Sequence, residues 1–347
     1  MRPRRRMTVA PERSAPPMLV SVVLPVRNRF DLAGRAIASV AGQTHRPIEL
    51  IVVDDASSPA FEPPKDAAGG DLRIRTTRME TNIGPGAARE GGRRIAAGAF
   101  IAYLDSDDYW APSHLASALA ALRAAPEAAM AYCAAREMRN GEPGALRRWS
   151  DEPHGGILPA LLWGRPWHTS ACVWKREMTD AIGPWLPIWH YEDYEYDCRA
   201  GCLGAKLVHL PEPTCFVQAD APGRQSESPA ERRRIESFGT AILSMAECLR
   251  GTAWVGDERV RERMRGLLLS VAAKAADVNV AGLTRKAIGE AWRWPGPMAS
   301  LAVATGAGMP LLWLSGGRAA ARFFRWARPH APREIGQPAV SAADGLE

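Results

Sequence analysis

Two groups of acidic residues carry the chemistry in this sequence. The first, Asp105-Ser106-Asp107 with Asp108 following, closes the apolar run that starts at Ala99. Three close carboxylates at the end of a buried strand cost energy unless something positive neutralises them. A divalent cation does this economically, and hard oxygen ligands suit Mg²⁺ or Mn²⁺, which commonly bridge to substrate phosphates. On its own, the same motif also reads as a solvated Asp-rich turn capping the helix after Pro112. The second group, Glu192-Asp193, follows an aromatic stretch (Trp185, Trp189, Tyr191) at the start of a helical segment, where a helix dipole alone would favour two acids.

The elements that must position these groups follow a parallel α/β pattern from Met18 onward. MLVSVVLPV (Met18 to Val26) reads as a buried strand, and Asp31 to Gly42 as a helix capped by Asp31. IELIVVDD (Ile48 to Asp55), LRIRTT (Leu72 to Thr77) and AFIAYLDSDD (Ala99 to Asp108) read as further strands, with a helix from Gly86 to Gly98 before the last. Ligands of open parallel sheets bind beyond the carboxyl ends of the strands. Here three strands end in polar residues: Arg27-Asn28, Asp54-Asp55 and Asp105 to Asp108. Downstream, helices are expected near Pro112 to Ala125 and Glu192 to Gly201, and strands near Ala129 to Ala134 and His168 to Trp174. The tryptophans of this middle region are candidates to border a sugar site as well as to fill the core. After Ser228 the texture is helical, over Glu231 to Arg250 and Glu258 to Ala281.

Five blocks stand in order along this framework: SVVLPVRNRFDLAGRAIASVAGQT, IELIVVDDAS, NIGPGAARE, FIAYLDSDDYW, and a second half with HTSACVWKRE, IGPW and WHYEDYEYDCRAGCLGAKLVHLPEP. Together, over roughly Met18 to Ser228, they resemble the inverting family 2 glycosyltransferases. The resemblance implies an α/β fold of GT-A type, a Rossmann-like nucleotide-diphospho-sugar transferase domain over 18–228, with a basic helical extension over 229–330. It also implies a nucleoside-diphosphate sugar as donor, UDP-sugar by default, a Mn²⁺ or Mg²⁺ ion, and a glycan or lipid-linked acceptor. Carried onto this chain, it assigns Pro25, Val26, Arg27 and Asn28 to the nucleotide pocket. Asp54 and Asp55 would accept from base and ribose, and Asn82, Gly84 and Arg89 would form the next block of that pocket. Asp105 and Asp107 match the metal motif, with Asp107 the direct ligand and Asp105 nearer the ribose. Asp193 is assigned as the base that takes the acceptor hydroxyl proton, with Glu192 as fallback. One departure is informative: Ala221 stands where many relatives carry a His before Pro-Gly, so that Arg224, Gln218 or Asp220 takes over or the metal keeps an additional water, with Arg224 favoured as a diphosphate contact.

Composition bounds the alternatives. At 347 residues, 46% hydrophobic and 24% charged, the chain has enough apolar material for a sizeable core. Its six cysteines are too sparse for a disulfide framework, which points to a reducing compartment. The net charge of +6 suggests an anionic partner. Basic residues gather in the tail 1–17, which is expected to be disordered, as is 331–347, and again between Thr284 and Arg333, where eight Arg and Lys face only Glu290. In RAAARFFRWAR (Arg318 to Arg328) the arginines fall on one side of a helix and Phe323, Phe324 and Ala327 opposite, a pattern suited to lying on an anionic membrane surface. A peripheral position at the cytoplasmic face of the cell membrane follows. No nucleic-acid recognition motif is visible. GPGAAREGG (Gly84 to Gly92) lacks the third glycine in register for a dinucleotide site, and no P-loop motif occurs. His168, Thr169 and Ser170 lack a nucleophile elbow and read as strand-edge residues near the acceptor. A sugar nucleotidyltransferase would want a glycine-rich phosphate loop directly after the first strand, where Val26-Arg27-Asn28-Arg29 stands. The alternative from another class is an inactive sugar- or lipid-binding scaffold, which would bind nucleotide without turnover.

Overall fold

The computed structural model describes residues 18–64, 71–220 and 231–294. Strand β1 (Val20–Val26) is flanked by parallel partners β2 (Ile48–Asp54) and β4 (Phe100–Tyr103), and β2 pairs in parallel with β3 (Leu72–Arg78). β4 then pairs antiparallel with β8 (Cys172–Lys175), and the sheet continues through β6 (Ala128–Arg139) and β9 (Lys206–Gln218) to the two-residue β5 (Tyr109–Trp110). β7 (Glu142–Leu146) is a side hairpin on β6. The order 3-2-1-4 puts the first three connections on the parallel half, with the polar ends of β1, β2 and β4 along one edge.

β1 is apolar on both faces because both are covered, as parallel strands require. Val20, Val22, Leu24 and Val26 face helices α1 (Phe30–Ala41) and α3 (His114–Ala124), which contribute Ala33, Ala36, Ile37, Val40, Leu115 and Leu119. Val23, with Ile51, Val53 and Tyr103, faces α2 (Pro85–Ile95) on the opposite side. Helix α4 (Arg176–Ile182) leads to α5 (Glu192–Cys202) on that same side. The hydrophobic cluster does not stop at the sheet. It runs through α5 into α6 (Glu231–Arg250), α7 (Glu258–Asp277) and α8 (Ala281–Trp292), taking in Phe238, Ile242, Met245, Leu249, Met264, Leu268 and Trp294. The expected helical extension is thus a third layer sharing one core with the sheet.

Two expected boundaries differ. Asp31 lies in the first turn of α1, and Arg29 occupies the N-cap without a side-chain capping hydrogen bond, so Asp31 acts on the helix dipole. β4 ends at Tyr103, and Asp105 to Asp108 form a turn closed by the Asp108 N–H donating to the Asp105 carbonyl at 3.0 Å. Carboxylates repel within an extended ladder, and the turn lets each find its own partner.

The glycines of α2 serve close packing. A Cβ at Gly92 would sit 2.3 Å from Val23 Cγ1, and one at Gly86 would sit 2.1 Å from the Leu186 carbonyl oxygen. Backbone cannot yield as a side-chain tip does. Gly86→Ala is therefore expected to lower stability by about 1–3 kcal/mol, read as a lower urea midpoint at unchanged slope; a wild-type midpoint would show that the 184–190 loop moves aside at no cost.

Among the described residues no helix is long and apolar enough to cross a membrane. The tails, the basic stretch 297–328, Ala221 and Arg224 lie outside the described residues.

Candidate active site

The ends of β1 and β2 are laced together. Asn28, at φ 51°, accepts from the Ser58 N–H at 2.8 Å through Oδ1, and its own N–H donates to Ser57 Oγ at 3.1 Å. Arg27 Nη1 donates to the Asp55 carbonyl at 2.9 Å. Val26 is fully buried and receives the Asp55 N–H on its carbonyl at 2.9 Å, while Pro25 pairs with Val53. These four expected pocket residues tie the end of β1 to the end of β2.

The adjacent acids Asp54 and Asp55 have different surroundings. Asp54 is fully buried and takes the Ser57 N–H at 2.9 Å and the Phe61 N–H at 3.2 Å, and Arg78 closes an ion pair on it. Burial pushes its carboxyl up, but these hydrogen bonds and Arg78 outweigh burial and hold it below the usual range. Asp54 therefore braces the loop, with both oxygens already engaged. In Asp55 burial wins and pushes the carboxyl up, against the Ile83 and Gly84 N–H groups and Arg27. Its Oδ1 is buried with no hydrogen-bond partner. An unmet buried acceptor is costly in isolation and fits a donor on a bound base or ribose. Asn82 Oδ1 accepts from the Gly84 N–H at 3.3 Å, and Gly84, at φ 98°, turns the chain into α2.

Arg89, 4% exposed on α2, joins the two acidic groups recognised in the sequence. Its Nη2 donates to Asp105 Oδ1 and its Nη1 to Glu192 Oε1, each at 2.6 Å, over the ring of Trp185. Burial pushes Asp105 up, but Arg89 dominates and holds it low. For Glu192 the balance reverses. Burial, helped by Asp193, lifts it to about 7 in spite of Arg89. Asp193, on the next position of α5, has a side chain 26% exposed against 9% for Glu192, and its Oδ2 lies 3.1 Å from Arg165 Nη1.

The turn 105–108 distributes its carboxylates. Asp107 Oδ2 meets Arg29 Nη1 at 2.8 Å, and the Asp107 carbonyl accepts from Arg35 Nη2 at 3.0 Å. Asp108, 1% exposed, accepts from Ser170 Oγ at 2.6 Å and lies 3.2 Å from His168 Nδ1. Burial, with Asp107 and Asp105 nearby, pushes the Asp108 carboxyl well up. Asp105, Asp108 and His168 each offer one ligand atom within 4.8 Å of the others. The two carboxylate oxygens suit Mn²⁺ or Mg²⁺, whereas an imidazole nitrogen is more at home on softer ions. The expected donor pair was Asp105 with Asp107. The turn brings Asp105 and Asp108 together beside His168, and Asp107 meets Arg29.

Sequence reasoning missed Arg29, Arg78 and Arg165, the cations that set these carboxylates, and it gave His168 and Ser170 no link to the acid turn. A lone arginine in a loop has no spacing signature. Of the tryptophans weighed for a sugar site, Trp167, Trp174 and Trp185 are core, while Trp163 is 45% exposed.

A parallel half-sheet whose strand ends gather an acidic turn, extended by a mixed half and a helical layer, is the GT-A architecture. The model of glycosyl transferase family 2 matches residues 21–183; the chain carries a family 2 glycosyltransferase domain. Succinoglycan biosynthesis protein ExoO of Rhizobium meliloti is 42% identical over 96 residues, 28% of this chain and 27% of ExoO. Against this and seven similarly related curated proteins, the matched stretch spans between 13% and 39% of the relative's length. Among solved structures, Staphylococcus aureus TarS 1–349 in complex with UDP-GlcNAc has a TM-score of 0.62 at 16% identity, covering 89% of this chain and 90% of that one. Mannosyltransferase PcManGT from Pyrobaculum calidifontis, in complex with GDP-Man and Mn²⁺, has a TM-score of 0.52 at 19% identity, covering 93% and 88%. These two share the fold.

Proposed function

We propose that the protein moves a sugar from a nucleoside-diphosphate sugar, UDP-sugar favoured, to a hydroxyl acceptor with inversion at the anomeric carbon, in the synthesis of a cell-surface polysaccharide or glycolipid. One observation carries this reading: a single buried guanidinium, Arg89, binds both the acid turn after β4 and the acids opening α5, so donor and acceptor chemistry meet in one crevice. The nucleotide-sugars bound by TarS and PcManGT and the part of ExoO in succinoglycan biosynthesis support the substrate class.

In this reading Asp55, with Asn28, Asn82 and Gly84 around it, receives the base and ribose. Asp105 and Asp108 with His168 would hold Mn²⁺ or Mg²⁺, with Asp107 nearby on Arg29; when bound, the ion offsets the negative charge that develops on the leaving diphosphate. Arg89 fixes Asp105 and Glu192 in place. Asp193, the more exposed acid of the pair, accepts the acceptor hydroxyl proton as that oxygen bonds to the anomeric carbon and the bond to the diphosphate breaks. The nucleoside diphosphate leaves with the electron pair. The acceptor is a glycan or a lipid-linked glycan, and the enzyme works at the cytoplasmic face of the membrane.

The test is a thermal-shift panel of UDP, GDP and dTDP with and without Mn²⁺, paired with UDP release from UDP-sugars. The expected result is a Mn²⁺-dependent rise in Tm, largest with UDP, since a ligand at 100 times its Kd stabilises by about 2.7 kcal/mol. Stabilisation without any turnover would favour the binding scaffold; no stabilisation by any nucleotide would sink the proposal.

A further inference from the structure

Arg165 is absent from every assignment above, yet its side chain is only 6% exposed and its guanidinium bridges two acids of α5. Nε donates to Asp197 Oδ2 at 2.6 Å, and Nη1 lies 3.1 Å from Asp193 Oδ2 and donates to Thr169 Oγ1 at 3.1 Å. Asp197, one helical turn beyond Asp193, is fixed from behind: its side chain is 2% exposed, and the Trp167 indole N–H donates to the same Oδ2 at 2.7 Å. The backbone N–H of Arg165 donates to the Tyr194 hydroxyl at 3.2 Å. Charged side chains on a surface sample many rotamers. This one is locked at its inner end by a buried acid, an indole and a backbone bond, and only its outer nitrogen reaches Asp193.

The same short stretch of chain reaches the acid turn. Ser170 Oγ receives the Asp105 N–H at 3.1 Å and donates to Asp108, and His168 faces Asp108. Residues 165–170 therefore touch both acidic groups, independently of Arg89. We infer that Arg165 is a positioning residue, which holds one carboxylate oxygen of Asp193 so that the acid keeps a fixed separation from the turn that grips the donor. The inference rests on Asp193 being the base. Orientation errors of about 1 Å can cost 10²-fold in rate, and a methionine at 165 removes the hold while leaving a side chain of similar length.

The experiment is a double-mutant cycle on the full chain, with UDP release from UDP-glucose and UDP-N-acetylglucosamine as the readout. Arg165→Met is expected to lower kcat by about 10–100-fold with donor KM within about twofold, because no donor contact is lost. Arg165→Lys should recover part of kcat, since an ammonium supplies the charge without the two-pronged geometry. In an Asp193→Asn background Arg165→Met should cost nothing further, as residues acting through one another are non-additive. Because Arg165→Met leaves Asp197 unpaired in the interior, Arg165→Met/Asp197→Asn is measured beside it. That pair should fold with a near wild-type Tm and still show the kcat loss. An additional tenfold loss on top of Asp193→Asn, a matching rise in donor KM, or wild-type kcat in the paired variant would overturn the role of Arg165 alone. Wild-type turnover by Asp193→Asn would instead remove the base assignment and, with it, this inference.

Discussion

Asp193→Asn is expected to fold, to keep its affinity for a nucleoside diphosphate, and to release UDP from a UDP-sugar about 10²–10⁴-fold more slowly, the range set by removing a general base. The substitution is close to isosteric. Asparagine keeps one of the two acceptor oxygens, enough for either Arg165 or the Tyr194 N–H, which meets Asp193 Oδ1 at 2.9 Å. What it lacks is the ability to take a proton. Glu192→Gln is the informative contrast, because the Glu192 carboxylate is buried and already engaged by Arg89. Its loss should act on site geometry and raise donor KM more than it lowers kcat. The reverse outcome, with Glu192→Gln dead and Asp193→Asn active, would move the base by one residue.

Arg89→Met should be the most destabilising single change in the crevice, at about 3–5 kcal/mol, since it strands two acids in the interior. Asp105 and Glu192 would face each other without the cation that each meets at 2.6 Å. The effect has a pH signature. Glu192 sits at about 7 in the folded protein against an ordinary 4.5, so its ionisation opposes folding, by an amount that is absent below 4.5 and grows as pH rises through 7. Without Arg89 that opposition is larger. Lowering the pH from about 8 to about 5 should therefore recover part of the lost stability, measured by urea unfolding at each pH. A loss independent of pH would mean that packing over Trp185, and not charge, is what Arg89 contributes.

Much of this was legible before any coordinates. The runs that became β1, β2 and β4 are buried on both faces, so they are apolar throughout and stand out. The acids that end them stand out for the same reason, as charge abruptly following a hydrophobic stretch. Glu192 and Asp193 were visible because a helix start leaves a local signature. Other features depend on contacts far apart in the chain. Asp54 and Asp55 look alike in sequence, and only the return of the loop through Ser57 and Phe61, with Arg78 alongside, separates a brace from an open acceptor. That Asp107 meets Arg29 while Asp108 lies beside His168 depends on residues about 80 and 60 positions away. Arg165 meets its acids across about 30 residues of intervening chain, a distance over which no periodicity speaks. In the second half of the sheet β6 and β8 were expected and β9 was not: it runs through Pro211 and Pro213, residues that ordinarily argue against a strand.

The shared core of sheet and helices has a practical corollary. Phe238, Ile242 and Met245 of α6 pack in the same cluster as Tyr194, Tyr196 and Cys198, the apolar side of the helix that bears Asp193. Trimming the polypeptide to the expected transferase domain, 18–228, would bare that seam to water and loosen the scaffold beneath the acid. A minimal working enzyme should accordingly keep α6, α7 and α8 through Trp294.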